Sequence, residues 1–209
     1  QSQRSHHNNA LEYAIDQANR LGLPVLVAFC VAPFPHANLR HYAFMLEGMA
    51  EVRAELENRG VNFVTRIGRP EEVIGKLADV AALLVTDRGY MPVQTAWRQS
   101  VVKKNDVPMV EVESDVVVPV DVVSDKREYS AATLRKKIAP LINDYLTLPV
   151  QHKVKIVSKI DEHSDDISLK AVVEKLRLDK SVTPIDEIYG GYAHAKKRLA
   201  NFVAKKLRG

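Results

Sequence analysis

The sequence predicts an α/β protein: a parallel, Rossmann-like open sheet with helices on both faces, followed by a mostly helical linker. Three observations predict it. Helical and strand-like periodicities alternate from residue 8 to residue 113. The run at residues 25–32 is apolar without a break, as in a strand buried on both faces. Alternation of this kind implies parallel strands joined by right-handed crossovers.

Taken in order, Asn8 or Asn9 caps a first helix that runs to about Leu21, where Gly22 closes it. Residues 25–32 form the first strand. Residues 39–59 place Tyr42, Met45, Leu46, Met49, Val52 and Leu56 at helical spacing, and Gly60 stops that helix. Residues 63–67 are a strand, turned by Gly68, and Pro70 fits the first turn of a short helix ending near Val80. Residues 82–86, 95–104 and 109–112 then read as strand, helix and strand. An opening helix is unusual, because such folds normally begin with a central strand. A strand ahead of Gln1, pairing with residues 25–32, is therefore expected.

After residue 119 the alternation stops. Residues 116–123 read as an extended segment leaving the sheet. Ser124 or Asp125, with acidic Glu128 following, reads as a helix start, and helical character continues to about Tyr145. Residues 149–188 are mixed: Pro149, a candidate strand at 154–157, a polar run at 161–166, a short helix near 169–176, and Pro184. That composition suits a linker draped over a domain better than a core. Residues 192–207 form a final helix with Ala195, Leu199, Phe202, Val203 and Leu207 on one face. The expected division is an α/β domain at 1–120, a linker at 121–188, and the start of a further helical domain at 189–209.

The 209 residues are 46% hydrophobic and 27% charged, as in an ordinary globular protein with one substantial core. No apolar run approaches the length that spans a bilayer, and the polar start lacks a signal-peptide pattern. Cys30 is the only cysteine, so no internal disulfide can form, which fits a reducing cytoplasm. Residues 1–119 carry a balance of −2 and residues 120–209 a balance of +6. An anionic partner is thus expected for the second half alone.

In a parallel sheet of this kind, ligands bind beyond the carboxyl ends of the strands. The residues expected there are Arg4, Cys30, Phe34, Asp87 and Arg88. Arg88 can meet an anion while Asp87 accepts from a ligand hydroxyl; the plain alternative is a turn cap beside a solvated cation. Trp97 can stack on a planar ligand or fill the core. Cys30 lies in an apolar strand, where a thiol behaves as a small hydrophobe. No glycine-rich phosphate motif is present, and neither His6 and His7 nor His36 and His41 have metal-ligand spacing. On the final helix, Lys196, Lys197 and Arg198, with Lys205, Lys206 and Arg208, can contact phosphates or form a solvated face.

Residues 124–138, Ser-Asp-Lys-Arg-Glu-Tyr-Ser-Ala-Ala-Thr-Leu-Arg-Lys-Lys-Ile, resemble the segment after the antenna domain in class II cyclobutane pyrimidine dimer photolyases. Further pieces agree in order. Val-Leu-Val-Ala-Phe-Cys at 25–30 is similar to a core strand of that family, and Arg-His-Tyr-Ala-Phe-Met-Leu-Glu-Gly at 40–48 to one of its helices. Gly-Arg-Pro-Glu-Glu-Val at 68–73 resembles the Gly-x-Pro turn of photolyases and cryptochromes. Val85-Thr-Asp87 with Trp97 resembles a further block, and a weaker match resumes at Gly190-Gly191. What the resemblance implies is a DNA repair enzyme in which light-excited reduced FAD splits the dimer. This chain would be its amino-terminal antenna domain, holding a deazaflavin or a folate. The FAD site, the contact with UV-damaged DNA and the catalytic residues would lie in a helical domain that is only starting at the end of this chain. The 209 residues alone are then expected to be inactive, with a homodimer as one way to cover the final helix. The alternative is a free-standing α/β module binding a nucleotide or flavin, and residues 124–138 separate the two readings, since such a module has no use for them.

Overall fold

The structure, a computed structural model, describes residues 2–207. Helix α1 (Asn9–Leu21) starts where the Asn8 side chain accepts from the Leu11 N–H and ends at Gly22, whose φ of 68° closes it in the left-handed region. Then follow β1 (Leu26–Val31), α2 (Leu39–Asn58), β2 (Asn62–Ile67), α3 (Pro70–Ala78), β3 (Leu84–Asp87), α4 (Pro92–Lys104) and β4 (Met109–Val112). Pro92 takes the first helical position of α4, so that helix begins a turn earlier than its periodicity suggested.

Both strand pairs are parallel. β1 runs beside β2 with Leu26 opposite Asn62 and Val31 opposite Ile67. β3 runs beside β4 with Leu84 opposite Met109 and Asp87 opposite Val112. The expected class holds, but among the described residues the sheet is in two halves, β1–β2 and β3–β4. A cleft of about 830 Å³ lies between β1 and β3 and is walled by both.

The main core packs Leu11 and Ile15 of α1 against Met49, Val52 and Leu56 of α2 and Phe63 of β2, with Val27 and Phe29 of β1 facing it. Side chains alternate across a strand, so Leu26, Ala28 and Cys30 point to the opposite face, where Ile74 and Leu77 of α3 line the cleft. Helices thereby cover both faces.

Past β4 the structure departs from expectation. The segment read as extended holds a short helix, α5 (Val120–Val123), and the next helix, α6, spans Ala131–Ile138. Its cap is Ser130, which accepts from the Thr133 N–H, rather than Ser124 or Asp125. Ser124 instead donates to Glu128 Oε1 at 2.7 Å, and Lys137 Nζ reaches the same oxygen at 2.6 Å. The Ser, Glu and Lys of the 124–138 run thus tie a loop onto α6. A short α7 (Ile142–Tyr145) follows.

Residues 154–157 form no strand. The chain there begins a strap along the outer edge of β2. The Ser158 N–H donates to the Gly60 carbonyl, the Asn62 amide to the Ile160 carbonyl, and the Asp165 N–H to the Thr65 carbonyl at 2.8 Å. The Ile67 N–H donates to the Asp165 carboxylate at 2.7 Å. Covering an edge strand removes a template for aggregation. Helix α8 (Leu169–Leu176) then does more than drape: its fully buried Val172 packs with Val31, Tyr42 and Ile67 in a second core cluster. The final helix α9 (Tyr192–Lys205) has no buried residue.

Candidate cofactor site at the strand carboxyl ends

The cleft between the half-sheets runs along β1 and β3, and Arg4, Cys30, Phe34 and Asp87 all line it. Four of the five positions expected from sequence thus line one cleft. Each is held by a local device. The Ser2 N–H donates to Asp87 Oδ2 at 2.7 Å, which fixes the incoming chain at the end of β3. Arg4 gives Nε to the His7 carbonyl at 3.1 Å and Nη2 to the Ser114 carbonyl at 3.2 Å, so its charge stays at the rim.

Phe34 sits on the loop after β1 with 39% of its surface exposed. That loop is pinned by Tyr42 of α2, which donates to the Ala32 carbonyl at 2.8 Å and accepts from the Phe34 N–H at 3.0 Å. Burial pushes the Tyr42 hydroxyl pKa up, against the opposing pull of the Phe34 N–H, so it stays a donor. His36 in the same loop takes a φ of 63°, uncommon for a residue with a Cβ. The helical spacing marked Tyr42 as core without showing this role. The available signal was that a buried Tyr needs a partner for its hydroxyl.

The fifth position, Arg88, turns elsewhere. It ion-pairs with Asp121 of α5 and lies over the Tyr90 ring at 5.6 Å. The hydrogen bond to Asp121 raises its already high pKa. Tyr90 donates to Glu113, and burial together with that carboxylate pushes its hydroxyl up to about 12. Asp87 ends β3 and Arg88 follows it, and the two side chains bond different partners, Asp87 the Ser2 N–H and Arg88 the Asp121 carboxylate.

Cys30 is half-buried, and its thiol is pushed up to about 11, chiefly by burial, with Arg66 opposing and Glu71 assisting. It is a thiol at neutral pH and not a nucleophile. Trp97 of α4 is half-buried and lines the cleft instead of disappearing into a core. Among the described residues no group of His, Cys, Asp and Glu is arranged to hold a metal ion, and no helix is long and apolar enough to cross a membrane.

Lys196, Lys197 and Arg198 lie on the exposed α9, with Lys196 Nζ 6.0 Å from the Tyr192 ring centre. None of the three lines the cleft. Arg208 lies outside the described residues.

These features define an α/β domain of short parallel strands covered by helices, with an apolar cleft between its half-sheets. A family model for DNA photolyase matches residues 1–153, and the chain belongs to that family. It is 37% identical over 207 residues to the deoxyribodipyrimidine photo-lyase of Methanothermobacter thermautotrophicus, a match covering 99% of this chain and 46% of that protein. The fold is similar to that of a bacterial class III photolyase from Agrobacterium tumefaciens, with a TM-score of 0.70 at 16% identity over 97% of this chain and 42% of that one. It is also similar to an archaeal photolyase from Sulfolobus tokodaii described with two FAD molecules, with a TM-score of 0.63 at 15% identity over 98% and 44% of the two chains. The chain therefore spans less than half the length of these relatives.

Proposed function

We propose that this chain is the light-harvesting, amino-terminal part of a class II cyclobutane pyrimidine dimer photolyase, and that its antenna chromophore enters the mouth at the carboxyl ends of β1 and β3. The observation that carries this reading is the convergence of Arg4, Cys30, Phe34 and Asp87 on one apolar cleft. The donor set fits a planar heterocycle: Phe34 and Trp97 offer rings, Arg4 a cation at the rim, and Asp87 an acceptor. A deazaflavin and a folate are the candidates. The two FAD molecules of the Sulfolobus tokodaii protein add a flavin to them. When bound, such a group absorbs light and passes the excitation on; the residues here hold and orient it.

The class II assignment is supported by residues 124–138, whose Ser124, Glu128 and Lys137 bond one another. The same reading divides the chain at 1–120, 121–188 and 189–209, the last segment beginning a helical domain that would carry FAD and meet UV-damaged DNA. Lys196, Lys197 and Arg198 would face phosphates on that side. No catalytic residue for dimer splitting is assigned to this chain.

Trp97 is the only tryptophan, which makes it a direct probe. Titration with a deazaflavin, a folate or FAD should quench its fluorescence and shift the amide resonances of Arg4, Cys30, Phe34 and Asp87. Shifts confined to residues 124–150 or to α9, with Trp97 unmoved, would refute the placement.

A further inference from the structure

Beyond β4, helices α5, α6 and α7 bury none of their residues, although the body they follow has two packed cores. Helices this short are not stable in water by themselves. Two of them are nevertheless held in a fixed relation. The Leu141 N–H donates to the Ile138 carbonyl at 2.9 Å in the turn that joins α6 to α7. The bonds from Ser124 and Lys137 to Glu128 tie the preceding loop to α6.

A groove of about 250 Å³ lies between α6 and α7. Ala131, Leu134 and Ile138, at i, i+3 and i+7 of α6, form one wall and Ile142 of α7 the other, with Arg135 also lining it. Leu134 and Ile142 are each 37% exposed. The volume is below the roughly 300–1,000 Å³ of small-molecule sites. An open apolar groove of this size suits side chains projecting from a helix, the mode by which amphipathic helices are commonly received.

Charge selects the helix. Residues 126–143 hold five cations and one carboxylate, Glu128, which is taken by Lys137 at 2.6 Å. Lys126, Arg127, Arg135 and Lys136 are exposed and make no ion pair among the described residues. Four uncompensated cations on and beside α6 repel a basic helix and attract an acidic one. A second copy of this chain is a poor occupant, because its own unburied α6 and α9 carry cations and no carboxylate.

We propose that the α6–α7 groove docks an acidic amphipathic helix of a partner protein. Apolar side chains of that helix lie between Leu134 and Ile142, and carboxylates flanking them meet Arg135 and its neighbouring cations. The proposal does not depend on a chromophore in the cleft.

The test uses the full chain and a labelled peptide of about 18 residues, long enough to hold a helix, with Leu at i, i+3, i+4 and i+7 and Glu between. Two controls are a peptide with Lys in place of Glu and a scrambled Leu/Glu peptide. Fluorescence anisotropy at about 50 mM salt, where charge pairing is weakly screened, is the readout. The patterned Glu peptide should bind about tenfold or more tightly than either control, and Leu134→Gln should weaken it by about tenfold. Arg135→Glu should shift the preference toward the Lys peptide, an exchange that loss of folding cannot produce. Amide exchange at Ile15 and Val52 shows that the body of each variant is folded. Equal binding of the scrambled peptide, or no effect of either substitution, would overturn the proposal. So would tighter binding of a single-stranded oligonucleotide that Arg135→Glu abolishes, which would make nucleic acid the occupant. Dimerisation of the chain that Leu134→Gln abolishes would overturn it in favour of a second copy.

Discussion

Gly190 rides on the Phe44 carbonyl of α2: a Cβ built on that glycine would lie 1.9 Å from the oxygen and 3.3 Å from the Glu47 Cβ. The contact goes with two hydrogen bonds, from the Gly190 N–H to Glu47 Oε2 at 2.6 Å and from the Ala193 N–H to Glu51 Oε2 at 3.1 Å. Carboxylates of α2 thus satisfy amides at the start of α9, where a helix has donors to spare. Gly190→Ala should push this junction apart at a cost of about 1–3 kcal/mol. The amides of Ala193 and Ala195 should exchange faster while those of β1 and β2 hold. Unchanged exchange at α9 would show that the contact relaxes without cost.

Glu12 and Arg59 form a nearly buried ion pair at 2.9 Å, with side-chain exposures of 8% and 16%. Glu12 also accepts the His152 N–H at 2.7 Å, tying α1, the end of α2 and the later chain together. Glu12→Ala leaves Arg59 uncompensated and should cost about 3–5 kcal/mol in urea unfolding. The double variant Glu12→Leu, Arg59→Met should recover much of that loss. Equal losses in the single and double variants would place the stabilisation elsewhere.

Asp165 is held below the ordinary carboxyl range, first by the Ile67 N–H, with Lys175 and His163 assisting and burial opposing. A carboxyl lowered in the folded state stabilises fully above its unfolded value and loses that contribution as pH falls through the folded one. The strap on β2 should therefore hold at pH 5 and loosen below about pH 4, read as faster exchange at the Ile67 amide. Asp165→Asn should loosen it at pH 5 and abolish the acid response. A wild-type strap with no response down to pH 2 would remove this carboxylate from the account.

Cys30, its thiol raised to about 11 against a usual 9.0, should react with a disulfide reagent at pH 8 about a hundredfold more slowly than a free cysteine. Cys30→Ala should leave the fold intact. Rapid labelling of the folded chain would mean that the thiol is better solvated than its place in β1 implies.

Elements carried by local chemistry were legible in the sequence. Asn8 and Gly22 bracket α1 as their side-chain and backbone preferences require, and Met109–Val112 falls where its apolar run lies. Strand order also anticipates that Arg4, Cys30, Phe34 and Asp87 line the space between β1 and β3, as they do. What could not be read depends on contacts distant in sequence. Ser124 has the chemistry of a helix cap but is drawn to Glu128 and Lys137, leaving the cap to Ser130. Arg88 looked available to a ligand until Asp121, 33 residues on, was placed beside it. Nothing in the periodicity of residues 169–176 distinguishes a surface helix from one that buries Val172.

Helix α9 is anchored by its first turn and bare beyond it, with Leu199 62% and Phe202 49% exposed. It is in effect a cantilever. Fourteen residues at about 1.5 Å each carry its tip roughly 20 Å from the glycine pair. A tilt of about 10° at the root would swing that tip by some 3–4 Å, most of one side chain's width. The aim of anything seated on α9 is therefore set at the helix's foot, by two glutamates, two glycines and the His6 ring 4.6 Å from that of Tyr192.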